Sequence, residues 1–149
     1  NGIDPLDVVL VRAAGWLAPG GRLAAAVMVN GTLSELRAAR ARAAPDKPPG
    51  AFPEPIDLRR TLTMTGLRDT RVRVEIIRCM LPSAADVVRR LHAQGLTAGP
   101  LAGSGRPLNR SELHRLIAEY DRCSSTDRGV RVTYCTAFLE GIQPGIRTT

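Results

Sequence analysis

The stretch WLAPGGRLAAAVMV, from Trp16 to Val29, decides the fold of this sequence. An apolar helical segment ends there, because Pro19 cannot continue a helix and Gly20 can supply the positive φ that a helix C-terminus needs. The apolar run that follows, Leu23 to Val29, has the length and the flanking turn residues of a strand buried on both faces. This succession of helix, turn and buried strand indicates an α/β fold, and any α/β crossover would share it.

The rest of the chain continues this alternation of helices and strands. Apolar runs and period-two patterns predict three strands, at Arg22–Val29, Arg71–Leu81 and Val130–Leu139. Capping residues and apolar stripes predict five helices, at Asp4–Leu17, Leu33–Ala43, Ile56–Met64, Ala84–Gln94 and Arg110–Tyr120. We therefore expect residues 1–149 to belong to one α/β domain, with residues 83–121 as a helical insertion before the last strand.

Three helix starts carry the spacing of a capping pair. Each pair places a short polar side chain three residues before a carboxylate: Thr32 and Glu35, Ser83 and Asp86, Asn109 and Glu112. In such pairs the first side chain accepts a hydrogen bond from the helix backbone. We expect all three pairs to cap their helices.

The charge balance and the aromatic content limit the classes of partner. Lysine and arginine number 21 against 14 aspartate and glutamate, which gives a net charge of +7. A basic excess suits nucleic acid, an acidic protein or an anionic surface, and a basic face that only meets solvent is the alternative. Only 3% of residues are aromatic and none lies among the arginines, which argues against a base-stacking nucleic-acid surface.

Targeting signals and paired nucleophiles are not visible in the sequence. It has no basic-then-apolar leader and no apolar run long enough for a membrane, so we expect a cytoplasmic protein that binds no membrane. Because the chain begins at Asn1 without methionine, we expect an upstream half to be missing. His92 and His114 lie on predicted helices without a second ligand nearby, so no metal site is expected and the catalytic residues stay unknown.

A proline-rich loop, Pro45 to Pro55, separates the second and third predicted helices. Loops of this length inside a compact domain are often lids or binding segments. Phe52 is its only large apolar side chain, so it is the residue expected to contact a ligand. The alternative is that Phe52 pins the loop to the core.

The order of these segments resembles the C-terminal half of the class I S-adenosylmethionine-dependent methyltransferases, over Pro5 to Ile142. Four segments resemble the malonyl-acyl-carrier-protein O-methyltransferases of biotin synthesis. They are NGTLSELRAA at 30–39, VVRRLHAQGLTAG at 87–99, LNRSELHRLIAEYD at 108–121 and VRVTYCTAFLEGI at 130–142. One departure is Ala51, which stands where that family usually has an arginine before the loop phenylalanine.

The resemblance implies a Rossmann-like sheet of three strands here, with the last strand in the middle and antiparallel to both others. It also implies that S-adenosylmethionine is bound mainly by the missing N-terminal half, through a glycine-rich loop and an acidic residue. No cofactor-binding residue is therefore expected in this sequence. In open α/β sheets ligands bind beyond the carboxyl ends of the strands, which here means the residues after Val29.

The implied substrate is a malonyl group on an acidic acyl-carrier protein. Its carboxylate is ionised at neutral pH, so methyl transfer needs no general base. Substrate-binding candidates are Phe52, Asn30 and Thr32. Six arginines are candidates for steering the acidic carrier protein: Arg37, Arg40, Arg89, Arg90, Arg106 and Arg110. A class I methyltransferase of another small molecule, or a non-catalytic half-domain that only binds a partner, are the alternatives.

Overall fold

A computed structural model of the chain describes residues 5–96 and 107–145. The helices in these ranges are α1 (Pro5–Gly15), α2 (Ser34–Ala43), α3 (Pro55–Met64), α4 (Ala84–Ala93) and α5 (Arg110–Ser124). The strands are β1 (Arg22–Met28), β2 (Arg68–Leu81), β3 (Ser125–Thr126) and β4 (Gly129–Ile142). The predicted order of helices and strands is confirmed, and the two-residue β3 is an addition to it. No helix in the described ranges is long and apolar enough to cross a membrane.

The strands form a four-stranded antiparallel sheet in the order β1-β4-β2, and β3 pairs with β4 beside this path. The β1–β4 ladder runs from Arg22 opposite Ile142 to Met28 opposite Thr136. The last long strand therefore lies in the middle of the sheet, as the resemblance implied.

The structure corrects the prediction that β1 is buried on both faces. Alternate residues of β1 are exposed, whereas Leu23, Ala25 and Val27 are half-buried and pack against an aliphatic cluster. A continuous apolar run cannot show which of its faces is covered, since that depends on helices far away in the sequence. Among the described residues, helices cover one face of β1.

Contacts divide the chain into two compact units. Unit 1 comprises Asn1–Asn30, Pro53–Glu75 and Cys135–Thr149, and unit 2 comprises Gly31–Phe52 and Ile76–Tyr134. The core of unit 1 contains Leu10, Val29, Leu58, Leu62, Val72, Cys135, Ala137 and Leu139. The core of unit 2 contains Leu33, Leu36, Ala39, Ala43, Ala84, Val87, Leu91, Leu116, Tyr120, Val130 and Val132. The chain passes from unit 2 back to unit 1 between Phe52 and Pro53, within the proline-rich loop.

Two of the three predicted capping pairs are confirmed. The Ser83 hydroxyl accepts a hydrogen bond from the Asp86 N–H at 3.3 Å. Asn109 and Glu112 form a reciprocal capping box, with distances of 2.8 and 2.9 Å. Both pairs lie within one turn of helix, so local sequence spacing was sufficient to identify them.

The prediction that Thr32 and Glu35 cap α2 is wrong. The residue before α2 is Leu33, with φ 54°, and no side chain caps this helix. Glu35 instead accepts hydrogen bonds from the backbone N–H and the hydroxyl of Thr133. Glu35 thus bonds to a residue 98 positions away in the sequence instead of capping α2.

Candidate functional site

The second residue after β1, Asn30, is bonded to the proline-rich loop within unit 1. The Asn30 N–H donates to the Pro53 carbonyl at 3.0 Å, and the Asn30 side-chain amide donates to Glu54 Oε1 at 2.6 Å. Asn30 is exposed. The substrate-binding candidate Asn30 is thus held by the last residues of the loop, at the carboxyl end of the strand where the sequence places the site.

Unit 2 begins with a tight turn that buries Thr32. Leu33 adopts the left-handed conformation and its N–H donates to the Thr133 carbonyl at 2.6 Å. Since Thr133 also donates twice to Glu35, the turn and the start of α2 are bonded to β4 from both directions. Thr32 itself is 0% exposed, so this arrangement does not present it to a ligand, contrary to the expectation from the sequence.

Unit 2 also brings Arg37 and Phe52 together. The Arg37 guanidinium carbon lies 5.1 Å from the centre of the Phe52 ring, within the range of a cation–π contact. Both residues are half-buried, and burial lowers the pKa of Arg37 from its ordinary value. A guanidinium has so high a starting pKa that it stays charged. The structure therefore places the loop phenylalanine beside a fixed positive charge, although the sequence had given the two residues separate roles.

Arg40 does not offer the exposed charge expected of a docking residue. It is 6% exposed, and its Nε donates to the Lys47 carbonyl at 3.0 Å. Lys47 in turn forms a buried ion pair with Glu112 at 2.6 Å. Burial lowers the pKa of Arg40, and the nearby Glu112 charge opposes that shift. Arg40 therefore anchors the proline-rich loop to α2. The sequence did not indicate this contact, because Lys47 is seven positions away and beyond the end of the helix.

The other candidate docking arginines that the structure describes are all exposed. Arg89 and Arg90 on α4 and Arg110 at the start of α5 are exposed. Arg89 is paired with Asp86, one turn earlier on the same helix. Arg106 lies outside the described residues. Three exposed arginines of unit 2 are thus compatible with steering an acidic partner.

A groove of about 450 Å³ between α2, α4 and α5 was not anticipated from the sequence. Its lining residues are Leu36, Arg37, Arg40, Pro49, Val88, Leu91, His92, Pro107, Leu108, Leu113 and Leu116. The apolar stripes of the helices were visible in the sequence, but apolar stripes ordinarily form core. Only the helix packing leaves a cavity between them.

The described residues contain no group of three or more side chains that could hold a metal ion.

Comparison with known proteins identifies two similar curated sequences. The chain is 29% identical over 137 residues to malonyl-[acyl-carrier protein] O-methyltransferase of Alcanivorax borkumensis, covering 92% of the chain and 46% of that protein. It is 32% identical over 144 residues to the biotin biosynthesis bifunctional protein BioCD of Bordetella avium, covering 93% of the chain and 27% of that protein. No family model matches the chain. The chain thus resembles the biotin-synthesis methyltransferases, and it spans about half or less of these relatives.

Proposed function

We propose that this chain is the C-terminal part of a class I S-adenosylmethionine-dependent carboxyl O-methyltransferase. Its substrate would be a malonyl group on an acyl-carrier protein, in the cytoplasm and in biotin synthesis. The observation that carries this proposal is the similarity of 92% of the chain to a protein named malonyl-[acyl-carrier protein] O-methyltransferase.

The sheet supports the proposal at the level of topology. A long last strand between β1 and β2, antiparallel to β1, is the arrangement expected for the C-terminal half of a Rossmann-like methyltransferase sheet. Residues 83–121 would then be the helical insertion of this half. In this fold the ligands bind beyond the carboxyl ends of the strands, which for β1 is the turn that follows Met28.

Methyl transfer to a carboxylate requires the protein mainly to position the carboxylate against the methyl group. A malonyl carboxylate is ionised at neutral pH, so it can attack a methyl group without losing a proton to a base. Asn30 and Phe52 are the side chains proposed to contact the acceptor. Arg37 supplies a charge beside Phe52 that suits one carboxylate oxygen or a phosphate of the carrier's prosthetic arm.

The cofactor is proposed to be held mainly by residues outside this chain. S-adenosylmethionine supplies the methyl group when it is bound. The 46% coverage of the malonyl-[acyl-carrier protein] O-methyltransferase supports this assignment.

Two alternatives are each favoured by one observation. Ala51, where the family usually has an arginine, favours a class I methyltransferase of another small molecule. The coverage of half or less of each relative favours a non-catalytic half-domain that binds a partner.

The deciding assay uses the full-length protein that contains this chain, malonyl-carrier protein and methyl-labelled S-adenosylmethionine. We expect label on the carrier protein, released by mild base as from a methyl ester. Label on a free hydroxyl, amine or carbon acceptor instead would establish the first alternative. A full-length protein that labels no acceptor and still binds the carrier protein would support the second.

Charge reversal tests the docking arginines in the same assay. Changing both Arg89 and Arg90 to Glu is expected to raise KM for the carrier protein about tenfold at low salt and to leave kcat unchanged, because exposed charges act on encounter. The matched control changes both Arg122 and Arg128 to Glu, which reverses two exposed charges elsewhere in unit 2. An equal rise in the control would exclude a specific docking surface.

A further inference from the structure

The groove of unit 2 has the composition of a small-molecule site. Five aliphatic side chains from three helices form its apolar walls: Leu36, Val88, Leu91, Leu113 and Leu116. Its volume of about 450 Å³ falls within the range of roughly 300–1,000 Å³ that is typical of ligand pockets. An aliphatic chain would be transferred there from water to a surface of matching polarity.

The charged side chains that line the groove are of one sign, and Glu112, whose charge acts on Arg40, is not among them. The described residues that line it include Arg37 and Arg40, and they include no aspartate or glutamate. His92, which is exposed, adds a third nitrogen-bearing side chain at the same groove. An apolar cavity with arginine at its margin is suited to a ligand with a negatively charged head.

The walls of the groove are held by polar contacts that do not depend on a ligand. Arg40 is bonded to the Lys47 carbonyl, and Lys47 is paired with Glu112 on α5. On the same two helices, Arg115 Nε donates to the Ala43 carbonyl at 3.3 Å. The spacing of α2 and α5 is therefore fixed in advance, which lowers the ordering cost of binding.

From these observations we infer that the groove binds one aliphatic anion, with its hydrocarbon chain between α2, α4 and α5 and its anionic head at Arg37. The buried Arg40 guanidinium contributes a second positive charge to the groove. This inference does not rest on the proposed methyl transfer, since it concerns binding alone. The ligand class is a free straight-chain carboxylate, which differs from the carrier-bound malonyl group of the proposed function.

Calorimetry with the chain and straight-chain carboxylates tests the inference. Affinity should rise about fourfold per added methylene from butanoate through hexanoate to octanoate, because each methylene enters an apolar surface. Octanol, which lacks the charge, should bind at least tenfold more weakly than octanoate. Pantetheine phosphate is a further probe, and binding tighter than that of octanoate would overturn the inference, because it would assign the groove to the carrier arm.

Methyl NMR locates the bound octanoate. The methyl signals of Leu91, Leu113 and Leu116 should shift in a saturable way, whereas those of Leu58 and Leu62 in unit 1 should not. Saturable shifts confined to unit 1, or octanol binding as tightly as octanoate, would overturn the inference. Shifts in the groove that depend on protein concentration without octanoate would assign it to a second copy of the chain and would also overturn it.

Two substitutions test separately how the groove binds the anionic head and the hydrocarbon chain of octanoate. Arg37→Gln should weaken octanoate at least tenfold and leave octanol unchanged, whereas Val88→Phe should weaken both by filling the groove. Arg122→Gln removes an equal charge from an exposed position of the same unit and should change neither affinity. If Arg122→Gln weakens octanoate as much as Arg37→Gln does, binding is unspecific attraction to a basic protein and the inference fails.

Discussion

Both units of this chain have a largely aliphatic core, but unit 2 adds polar contacts buried between its elements. In unit 2, buried polar groups connect helices, loops and strand: Lys47 pairs with Glu112, and the Tyr120 hydroxyl donates to the Arg131 carbonyl at 2.7 Å. The core of unit 1 is aliphatic apart from Cys135, and a Thr61–Asp7 hydrogen bond lies beside it.

The units differ in surface as well. Seven of the large apolar side chains that are exposed belong to unit 1: Val9, Val11, Trp16, Met28, Ile56, Met64 and Val74. Trp16 and Met64 are 83% and 80% exposed. Apolar burial is non-directional, whereas buried polar pairs require one geometry. The comparison teaches that burial of apolar surface supports both units, whereas unit 2 depends in addition on the fit of particular polar groups.

The largest effect is expected from Leu58→Ala in unit 1. Leu58 is 1% exposed, so the substitution leaves a cavity and should lower the free energy of unfolding by about 2–5 kcal/mol. Urea denaturation measures the total loss, and amide hydrogen exchange shows whether it falls in unit 1. The control Ile56→Ala, at a 53% exposed position of the same helix, should change stability by less than about 0.5 kcal/mol. Similar losses in both variants would contradict an aliphatic core as the support of unit 1.

The second effect concerns the buried ion pair of unit 2. The Lys47 ammonium, the Asn109 N–H and the Arg115 charge hold the pKa of Glu112 below its ordinary value of 4.5. The pair therefore stabilises the fold above that value, and the stabilisation is lost as pH falls through the lowered pKa of the folded state.

Glu112→Gln should abolish this part of the acid sensitivity. Hydrogen exchange of unit 2 amides should already be faster at pH 7 in the variant, because the Lys47 charge stays buried without its counter-charge. Glu119→Gln, which removes a carboxylate paired with the exposed Arg122, is the matched control. The role of the buried pair is refuted if the two variants show the same exchange at pH 7.

A smaller effect is expected from Tyr120→Phe. Tyr120 is 0% exposed, and burial raises the pKa of its hydroxyl, which keeps it neutral. Loss of its hydrogen bond to Arg131 should lower stability by about 0.5–1.5 kcal/mol with little change in packing. Tyr134→Phe, at a half-buried residue beside the same core, serves as the comparison. A loss at Tyr134 that equals or exceeds the loss at Tyr120 would mean that the buried hydroxyl contributes no specific stability.

The smallest effect is expected from Arg73→Gln in unit 1. The Arg73 guanidinium carbon lies 4.9 Å from the centre of the Phe138 ring, and Arg73 is exposed. Such contacts contribute about 0.5–1 kcal/mol at exposed positions. Arg71→Gln, on the same strand, should be neutral in thermal unfolding. A loss above that of Tyr120→Phe would show that polar contacts matter in unit 1 as much as in unit 2.

Most elements of the fold could be predicted from the sequence because their signals are local. The Pro19-Gly20 turn, the caps at Ser83 and Asn109 and the apolar run of β4 each depend on residues within a few positions of one another. The candidate site was predictable in part for the same reason, since the turn at Asn30 follows an apolar strand. Its roles in binding stay predictions.

What the sequence by itself determined is the order of helices and strands, the caps closed within one turn, and the basic charge of the chain. Only the tertiary structure decided that Glu35 bonds to Thr133 instead of capping α2, that Arg40 is buried against Lys47, and that β1 keeps one face exposed. The physical reason is distance along the chain. A capping residue meets its partner wherever the helix forms, whereas a carboxylate or guanidinium meets a distant partner only when the packed core brings the two together.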